Sequence, residues 1–506
     1  MGIIRFLYGE LSHEALVQAS FFSALLCFIV GVYWMMRSLK DSVFASVVGL
    51  EYQPQAKMFS LVVVSVVLVA YNKIVDIVPR HRLFAVICGA YSTLFVATAV
   101  MLTSTTHGLV GPDGQPIPPS PERWLGWIHY FAIESYGSLV VSLFWQYLNS
   151  QVNLKEAKGQ YGLITAGGQI GAITGCTLVV GSKRFGVPQL YGAGRPSFGS
   201  SCAAAASPRP RVPAARGTRR HVPTSFARSG GLACLVSPLI VQMYLCRFPP
   251  DEFINVSSRS APSSAKKVQP GLFEGLRLLI RHPYVLGIFA VSALFEVIAT
   301  ILDYQMKVLG KAAYSSTADF ASFMGMFGQA ANTVSLVFSL LGTSFVIRNF
   351  GLRPTLMLFP TMLVVVVGVV YFVPSMWCLF GVMVAIKGLS YALNNPSKEM
   401  LYMVTTDSIK FKAKSWIDVF GGRASKALGS VVTNTFKKPV TNLMFYGSLV
   451  SLAIALGLLA ITSTLGRAFE RLTASGELIG MDNEQGEEEK QPLKHAAAED
   501  EESPKA

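Results

Sequence analysis

Long apolar runs separated by short polar stretches dominate the chain from about residue 19 to residue 465. A helix needs about 20 apolar residues to cross the hydrocarbon core of a bilayer, and runs near that length recur throughout. Backbone groups in lipid must be hydrogen-bonded within the protein, which favours helices. The pattern predicts an all-α membrane protein with about 12 transmembrane helices, at 19–36, 57–79, 83–104, 127–149, 160–181, 229–247, 284–305, 317–345, 354–373, 375–394, 419–436 and 442–465.

Composition strengthens this prediction and excludes an ordinary soluble protein. Hydrophobic residues make up 51% of the 506 residues, and only 14% are charged, against about 25% charged in soluble domains. Mean hydropathy is +0.45. The first apolar run is followed directly by Arg37 and Lys40, so we expect a retained first span rather than a cleaved signal peptide.

Basic residues fall in alternate loops, as the positive-inside rule requires of cytosolic loops. With the N-terminus inside, the even-numbered loops carry the Lys and Arg residues, and the loop between spans nine and ten has no charge. The pattern predicts that both termini lie in the cytosol. The basic loop residues are Arg80, Arg82, Lys155, Lys158, Lys266, Lys267, Arg277, Arg281, Arg348, Arg353 and the cluster from Lys398 to Lys414.

The net charge of +14 is unevenly distributed. Residues 476–506 hold ten acids and three lysines, a net charge of −7, which leaves +21 for the rest of the chain. An acidic, polar sequence of this kind is typical of a disordered tail. In a membrane protein the basic excess orients the loops, so we expect a lipid bilayer and no nucleic acid as partner.

One stretch departs from the pattern. Residues 183–228 hold nine Lys or Arg residues and no acid, among many Pro, Gly, Ala and Ser residues. A disordered insertion is one interpretation, and a mistranslated piece such as a retained intron is another. The predicted organisation is therefore 1–18 cytosolic, 19–182 the N-terminal half, 183–228 an anomalous insertion, 229–270 a weak sixth span and central loop, 271–470 the C-terminal half, and 471–506 an acidic tail.

Charged residues also occur inside predicted spans, where each costs about 2.5–3.5 kcal/mol on insertion scales. Such residues usually face a bundle interior or an aqueous path. Cations there suit a polyanion, and acids pair those cations or carry protons. The residues alone predict a transporter, favour an anion as its substrate, and leave proton-coupled symport open. These residues are Arg37, Lys40 and Asp41; Glu134; Glu296 and Asp303; and Lys387 with Lys398, around the helix-breaking Asn394–Pro396.

Six stretches together resemble the ATP/ADP antiporter family of plastids and obligate intracellular bacteria. They are "RSLKDS", "QAKMFSLVVV", "ESYGSLVVSLFWQYLNS", "KEAKGQYG", "GIFAVSALFEVIATILDYQMK" and "NPSKEMLYMVTTDSIKFKAKSWIDVFGGRASKALGS". Their order is that of the family, and they cover most of 19–182 and 270–470. The resemblance implies a fold similar to the major facilitator type and counter-exchange of ATP for ADP, often with phosphate, by alternating access. No enzyme activity and no cofactor are expected.

The resemblance also implies roles for single residues. Glu134 matches the acid of an E-x-x-G-S motif, Glu296 the acid of span seven, Lys40 or Lys57 a lysine near span two, and Lys414 or Lys426 a late lysine. Arg423 joins them because it lies one helical turn before Lys426. The predicted site has phosphate-binding residues Lys40, Lys57, Lys414, Arg423 and Lys426, gating or charge-pairing residues Glu134, Glu296 and Asp303, and nucleobase residues Tyr136 and Tyr391.

Several alternatives stay open. Transport of other nucleotides and proton-coupled anion symport belong to the same class, whereas a membrane scaffold or receptor, or a gene product damaged at 183–228, does not. No GxxxxGK[ST] loop is present, so an ATPase is not expected. The scattered cysteines predict neither a zinc site nor a disulfide framework. The resemblance points to the plastid envelope, yet the chain has no long transit-like extension, so another membrane is equally open.

Overall fold

The structure, a computed structural model, describes residues 13–78, 80–151, 154–182, 229–247, 272–341, 352–390, 394, 398, 400–406, 409, 413, 417 and 421–480. Within these ranges the protein is almost wholly α-helical. β-Pairing there is limited to two isolated bridges, Val110 with Pro116 and Thr405 with Ile479. The prediction of an all-α protein is confirmed. The anomalous tract and the chain beyond residue 480 lie outside the described residues.

Thirteen α-helices are named in chain order among the described residues. They are α1 His13–Phe44, α2 Gln53–Ile77, α3 Arg80–Thr103, α4 Trp124–Gln151, α5 Leu154–Val180, α6 Ser229–Arg247, α7 Leu272–Arg281, α8 Pro283–Ala313, α9 Thr317–Leu341, α10 Leu352–Phe372, α11 Met376–Leu389, α12 Gly422–Phe436 and α13 Val440–Ser475. All but α7 overlap a predicted span.

Two differences from the predicted spans have a physical reason. The helix α1 continues eight residues past the predicted end at 36, to Phe44, through Lys40 and Asp41. A prediction from hydropathy ends the span at such charges. In the structure the helix continues, because both side chains are buried in the protein. The short helix α7 was not predicted as a span, because only one of its faces is apolar and it has ten residues.

Five helical stretches in the described part of the chain are long and apolar enough to cross a membrane. They are His13–Tyr71, Arg82–Thr103, Pro283–Ala313, Arg353–Phe372 and Val440–Ser475, with shorter apolar helices at Ile164–Val180 and Met376–Leu389. Large apolar side chains project outward along α2, at Val62, Val66 and Val69. Their spacing of three to four residues gives one continuous apolar face, as a helix in contact with lipid requires.

Helix ends are set by residues with special backbone geometry. After α1 the chain makes a π-helical turn, Ala45–Gly49, and Gly49 has φ 116°, which only glycine adopts without strain. Pro54 then lies in the first turn of α2, where its missing N–H removes no hydrogen bond. At the other end of the protein, Gly476 closes α13 in the left-handed conformation.

The chain divides into two compact units. The first comprises residues 1–56, 62–260 and 310–332. Here α1 packs against α5 over Gly167, Gly171 and Gly175, where any added Cβ would collide with Ser23 or the backbone of Cys27 or Gly31. These glycines are spaced four residues apart in the sequence, which predicts close helix packing, and the structure confirms it. An aromatic group in the same unit joins α1, α4 and α6 through Phe22, Phe144 and Tyr244.

The second unit comprises residues 57–61, 261–309 and 333–506. Two helices pack along α8 in opposite directions. The helix α12 follows α8 in parallel, because Gly421 meets Phe289 and Gly429 meets Val297 and Thr300. The helix α13 runs antiparallel, with Gly447 against Ile301 and Gly287 against Leu465.

A short backbone pairing holds the segment after α13 in the second unit. The Ile479 N–H donates to the Val404 carbonyl and the Thr406 N–H donates to the Ile479 carbonyl, both at 3.0 Å. Gly480, with φ 101°, sits against Thr406 and Ile409. The residues after α13 are thereby fixed to the segment that precedes α12.

Candidate functional site

The described residues include eight of the ten predicted site residues. The structure pairs four of them, Lys40 with Glu134 and Lys57 with Asp303. Glu296, Arg423 and Lys426 are half-buried on α8 and α12, and Tyr136 is buried on α4. Lys414 and Tyr391 lie outside the described residues. The roles of all ten stay predictions.

The ion pair of the first unit joins α1 to α4. The Lys40 ammonium donates to Glu134 Oε1, and the side chains are 5% and 22% exposed. The ammonium also lies 4.2 Å from the centroid of the Tyr130 ring, one helical turn before Glu134. A cation over an aromatic face is stabilised by the ring quadrupole. Lys40 is therefore held by two neighbouring groups of α4.

The residue after Lys40 has a different partner. Asp41 is buried and its Oδ1 accepts a hydrogen bond from Gln53 Nε2. Successive helical residues point about 100° apart, which follows from 3.6 residues per turn. Lys40 and Asp41 therefore form hydrogen bonds with different helices, Lys40 with Glu134 of α4 and Asp41 with Gln53 of α2. The adjacent letters "KD" in the sequence do not show whether Lys40 and Asp41 bind each other or residues of other helices.

The second unit holds a cluster of three charges, which we call the lysine–aspartate cluster: Lys57, Asp303 and Lys307. Asp303 Oδ2 accepts from Lys57 Nζ at 3.0 Å and from Lys307 Nζ at 2.7 Å. The side chains are 15%, 18% and 5% exposed, in chain order. One carboxylate thus serves two ammonium groups in a largely water-free setting.

The part of α8 that carries Asp303 is anchored to α13 by Gln305. Its Nε2 donates to the Leu443 carbonyl at 2.9 Å and lies 3.3 Å from Ser448 Oγ. Gln305 is fully buried, and its amide nitrogen is hydrogen-bonded to α13, as buried donors usually are. The helix that carries the lysine–aspartate cluster is therefore hydrogen-bonded to α13 next to Asp303.

Glu296 lies two turns before Asp303 on α8, and its sequence neighbour Phe295 contacts a further lysine. The Lys387 ammonium of α11 sits 5.4 Å from the centroid of the Phe295 ring, and Phe295 is the neighbour of Glu296 in sequence. Glu296 itself is half-buried. This end of α8 therefore brings a carboxylate and an aromatic-bound cation into the same region of the second unit.

Arg423 and Lys426 lie on the first two turns of α12. Ser425 and Gly429 form its buried stripe toward α8, and both cations flank that stripe, half-buried. Within the described ranges, Lys426 has no ion-pair partner. The predicted one-turn spacing of the two cations on a helix is therefore present.

Tyr136 is a core residue of the first unit. It is 0% exposed, and its ring makes edge contacts with Tyr91 and Phe95 at 5.3 and 5.7 Å between centroids. Such packing supplies stability directly. A ring that is buried on every side in this conformation has no face available for a nucleobase.

Reasoning from the sequence missed two groups that the structure brings to these sites, Lys307 and Gln53. Lys307 was detectable, because Asp303 and Lys307 are four residues apart and a helix brings such pairs together. The predicted span ended at 305 and excluded it. Gln53 carried no comparable signal, since its relevance follows from a contact with another helix.

Comparisons with known proteins agree with this architecture. The sequence model of the TLC ATP/ADP transporter family matches residues 7–380. ADP,ATP carrier protein 3 of Rickettsia conorii is 22% identical over 81% of this chain and 84% of the carrier. ADP,ATP carrier protein 1 of Chlamydia trachomatis is 24% identical over 79% of this chain and 78% of the carrier.

The fold is also found among solved transporters. A bacterial homologue of the iron transporter ferroportin, in an inward-facing state, superposes with a TM-score of 0.56 at 13% identity, over 90% of this chain and 100% of the other. This likeness concerns the fold alone, which is of the major facilitator type, and it confirms the predicted architecture. Since the family match spans about three quarters of the chain, the chain belongs to the TLC ATP/ADP transporter family and is an integral membrane transporter rather than an enzyme.

Proposed function

We propose that the protein exchanges ATP for ADP across a membrane by alternating access. The observation that carries this proposal is the lysine–aspartate cluster, a buried group with two cations and one anion. Buried charges are tolerated when they are paired or when they serve transport. Buried lysines in a transporter suit an anionic substrate, and the phosphates of a nucleotide provide one. Lys426, half-buried on α12, is a further cation of this kind.

The names of the relatives support an adenine nucleotide as the anion. The proteins of Rickettsia and Chlamydia that match most of this chain are named ADP,ATP carriers. Lysines suit the phosphates because an ammonium group donates charge-assisted hydrogen bonds to them. The carboxylates pair these lysines when no substrate is bound. In this scheme Lys40, Lys57, Lys414, Arg423 and Lys426 bind phosphate, and Glu134, Glu296 and Asp303 pair or gate.

Reconstituted exchange tests the proposal. The purified full chain is placed in liposomes loaded with ADP, and uptake of radiolabelled ATP is measured. We expect uptake that requires internal ADP, and loss of most of it in Glu134→Ala and in Lys426→Ala. Arg353→Gln is the matched control, because the Arg353–Glu470 pair is 38% and 52% exposed and surface pairs contribute little.

Other outcomes select other functions. Uptake that a pH gradient drives into liposomes without nucleotide would replace exchange with proton-coupled symport. Unaltered uptake in both variants, or no uptake of any nucleotide by the wild type, would contradict the proposal. External phosphate tests the co-substrate, since phosphate exchange predicts that it stimulates ADP release. A fluorescent fusion would test the plastid envelope as the membrane.

A further inference from the structure

The short helix α7, Leu272–Arg281, ends one residue before α8 begins at Pro283. The helix α8 is long and apolar enough to cross a membrane. Residues directly next to the beginning of such a span lie at the level of the lipid headgroups, because the hydrocarbon core is filled by the span itself. The last turn of α7 is therefore at the membrane surface.

Two faces of α7 have different surroundings. Leu278 and Leu279 are 9% and 2% exposed and are buried in the second unit, whereas Ile280 is 68% exposed. Arg277 and Arg281 are exposed as well. These three exposed residues are three and four positions apart, so they share one side of the helix. We call Arg277, Ile280 and Arg281 the α7 outer face.

The two arginines of the α7 outer face are available to an external ligand. Within the described part of the chain, the structure records no hydrogen bond or ion pair for the side chain of Arg277 or Arg281. An apolar side chain between two such cations is typical of a helix that lies in the membrane interface. The face therefore combines a group that suits acyl chains with two groups that suit anions.

Further cations lie at the same end of the second unit. The helix α13 runs antiparallel to α8, and its last turns follow its contact with Gly287. They carry Arg467 and Arg471, both exposed, while Glu470 between them is paired with Arg353. The end of the second unit at which α8 begins is therefore predominantly basic at its surface.

We propose that the α7 outer face binds the headgroups of anionic phospholipids. A guanidinium group donates charge-assisted hydrogen bonds to a phosphate in matching geometry, and basic residues beside a span are attracted to an anionic leaflet. Ile280 lies against the acyl chains, and Arg277 and Arg281 contact the phosphates. Loop charge predicts that this is the cytosolic leaflet. The inference goes beyond the proposed function, because the ligand is a lipid and not the transported nucleotide.

Cross-linking from α7 tests what covers this face. The purified full chain, with the photoreactive residue p-benzoylphenylalanine in place of Ile280, is placed in liposomes of equal parts phosphatidylglycerol and phosphatidylcholine. After irradiation, mass spectrometry measures the two lipid adducts at that position. We expect about a fivefold excess of the phosphatidylglycerol adduct, the preference that one basic residue at an anionic surface gives.

Two variants and a second probe position test whether the arginines cause the excess. In Arg277→Gln/Arg281→Gln the two lipids should give equal adducts, whereas Arg277→Lys/Arg281→Lys keeps both cations and should keep most of the excess. The same photoreactive residue in place of Phe372 is the matched control. Phe372 is 81% exposed at the end of α10, and the residues that follow, 373–375, carry no charge, so equal adducts are expected there.

Three results would overturn the inference. Equal adducts at position 280 with both arginines present, or an excess that persists without them, would show that they do not select the headgroup. Cross-links to residues 481–506 or to a second copy of the chain, in place of lipid, would show that protein covers the α7 outer face. These readouts do not involve transport, so they stand or fall separately from ATP exchange.

Discussion

Charged residues in the spans were visible in the sequence, but their partners were not. Lys40 and Glu134 are 94 residues apart, and Lys57 and Asp303 are 246 apart, so pairing depends on which helices are neighbours. Insertion energetics predicts that such charges are buried and matched. It cannot choose among several acids for one lysine. The residue types were therefore predictable, and the contacts had to come from the fold.

The Lys40–Glu134 pair gives a prediction at this scale. Lys40→Gln removes one charged partner of the mostly buried Glu134 carboxylate, and breaking a buried ion pair costs about 3–5 kcal/mol. Glu134→Gln leaves the ammonium over Tyr130 without its counter-ion, with a loss of similar size. Chemical unfolding of the purified protein measures both free energies of unfolding.

The double variant Lys40→Gln/Glu134→Gln is the control for that pair. A neutral amide pair leaves no buried charge, so its loss should be smaller than the sum of the two single losses. Strictly additive losses would show that the two side chains do not stabilise each other. Arg353→Gln, in an exposed ion pair, should change stability by less than about 1 kcal/mol.

Whole helices were more predictable than single contacts. The weak sixth span at 229–247 matches α6, Ser229–Arg247, to the residue, and the glycines of span five do pack against another helix. The end of the first span predicted from hydropathy was wrong, because α1 continues past residue 36 through buried charged residues. Choosing α1 as the neighbour of α5 was beyond the sequence, because a glycine stripe indicates close packing without naming the partner.

The glycine stripe of α5 yields a prediction for this pair of helices. A methyl group at Gly171 would collide with the carbonyl of Cys27, and backbone can yield only if α1 and α5 move apart. We expect Gly171→Ala to lower the thermal unfolding midpoint by several degrees, since overpacking costs about 1–3 kcal/mol. Gly89→Ala is the matched control, because its Cβ would meet no atom within 4 Å. Equal midpoints for the two variants would contradict close packing at Gly171.

For the whole molecule, loop charge predicts an orientation that helix packing cannot. The positive-inside pattern places both termini in the cytosol and the loop between α3 and α4 on the opposite side. Epitopes before Met1 and after Ala506 should therefore be cleaved by a protease added to the cytosolic face. An epitope inserted after Asp113, in the exposed turn that contains Gly114, should survive that treatment. Cleavage of all three from one face would refute the orientation.

The backbone pairing of Ile479 with Val404 and Thr406 makes the chain between them a closed ring that contains α12 and α13. Closing a ring removes conformational freedom from its members, and any displacement that separates positions 404 and 479 has to break two hydrogen bonds. The cations of α12 therefore lie on a segment whose two ends are hydrogen-bonded to each other, and the five residues after Ser475 contain the residue that closes it. A protein shortened to Gly480 keeps these two hydrogen bonds, whereas one shortened to Ser475 has lost them.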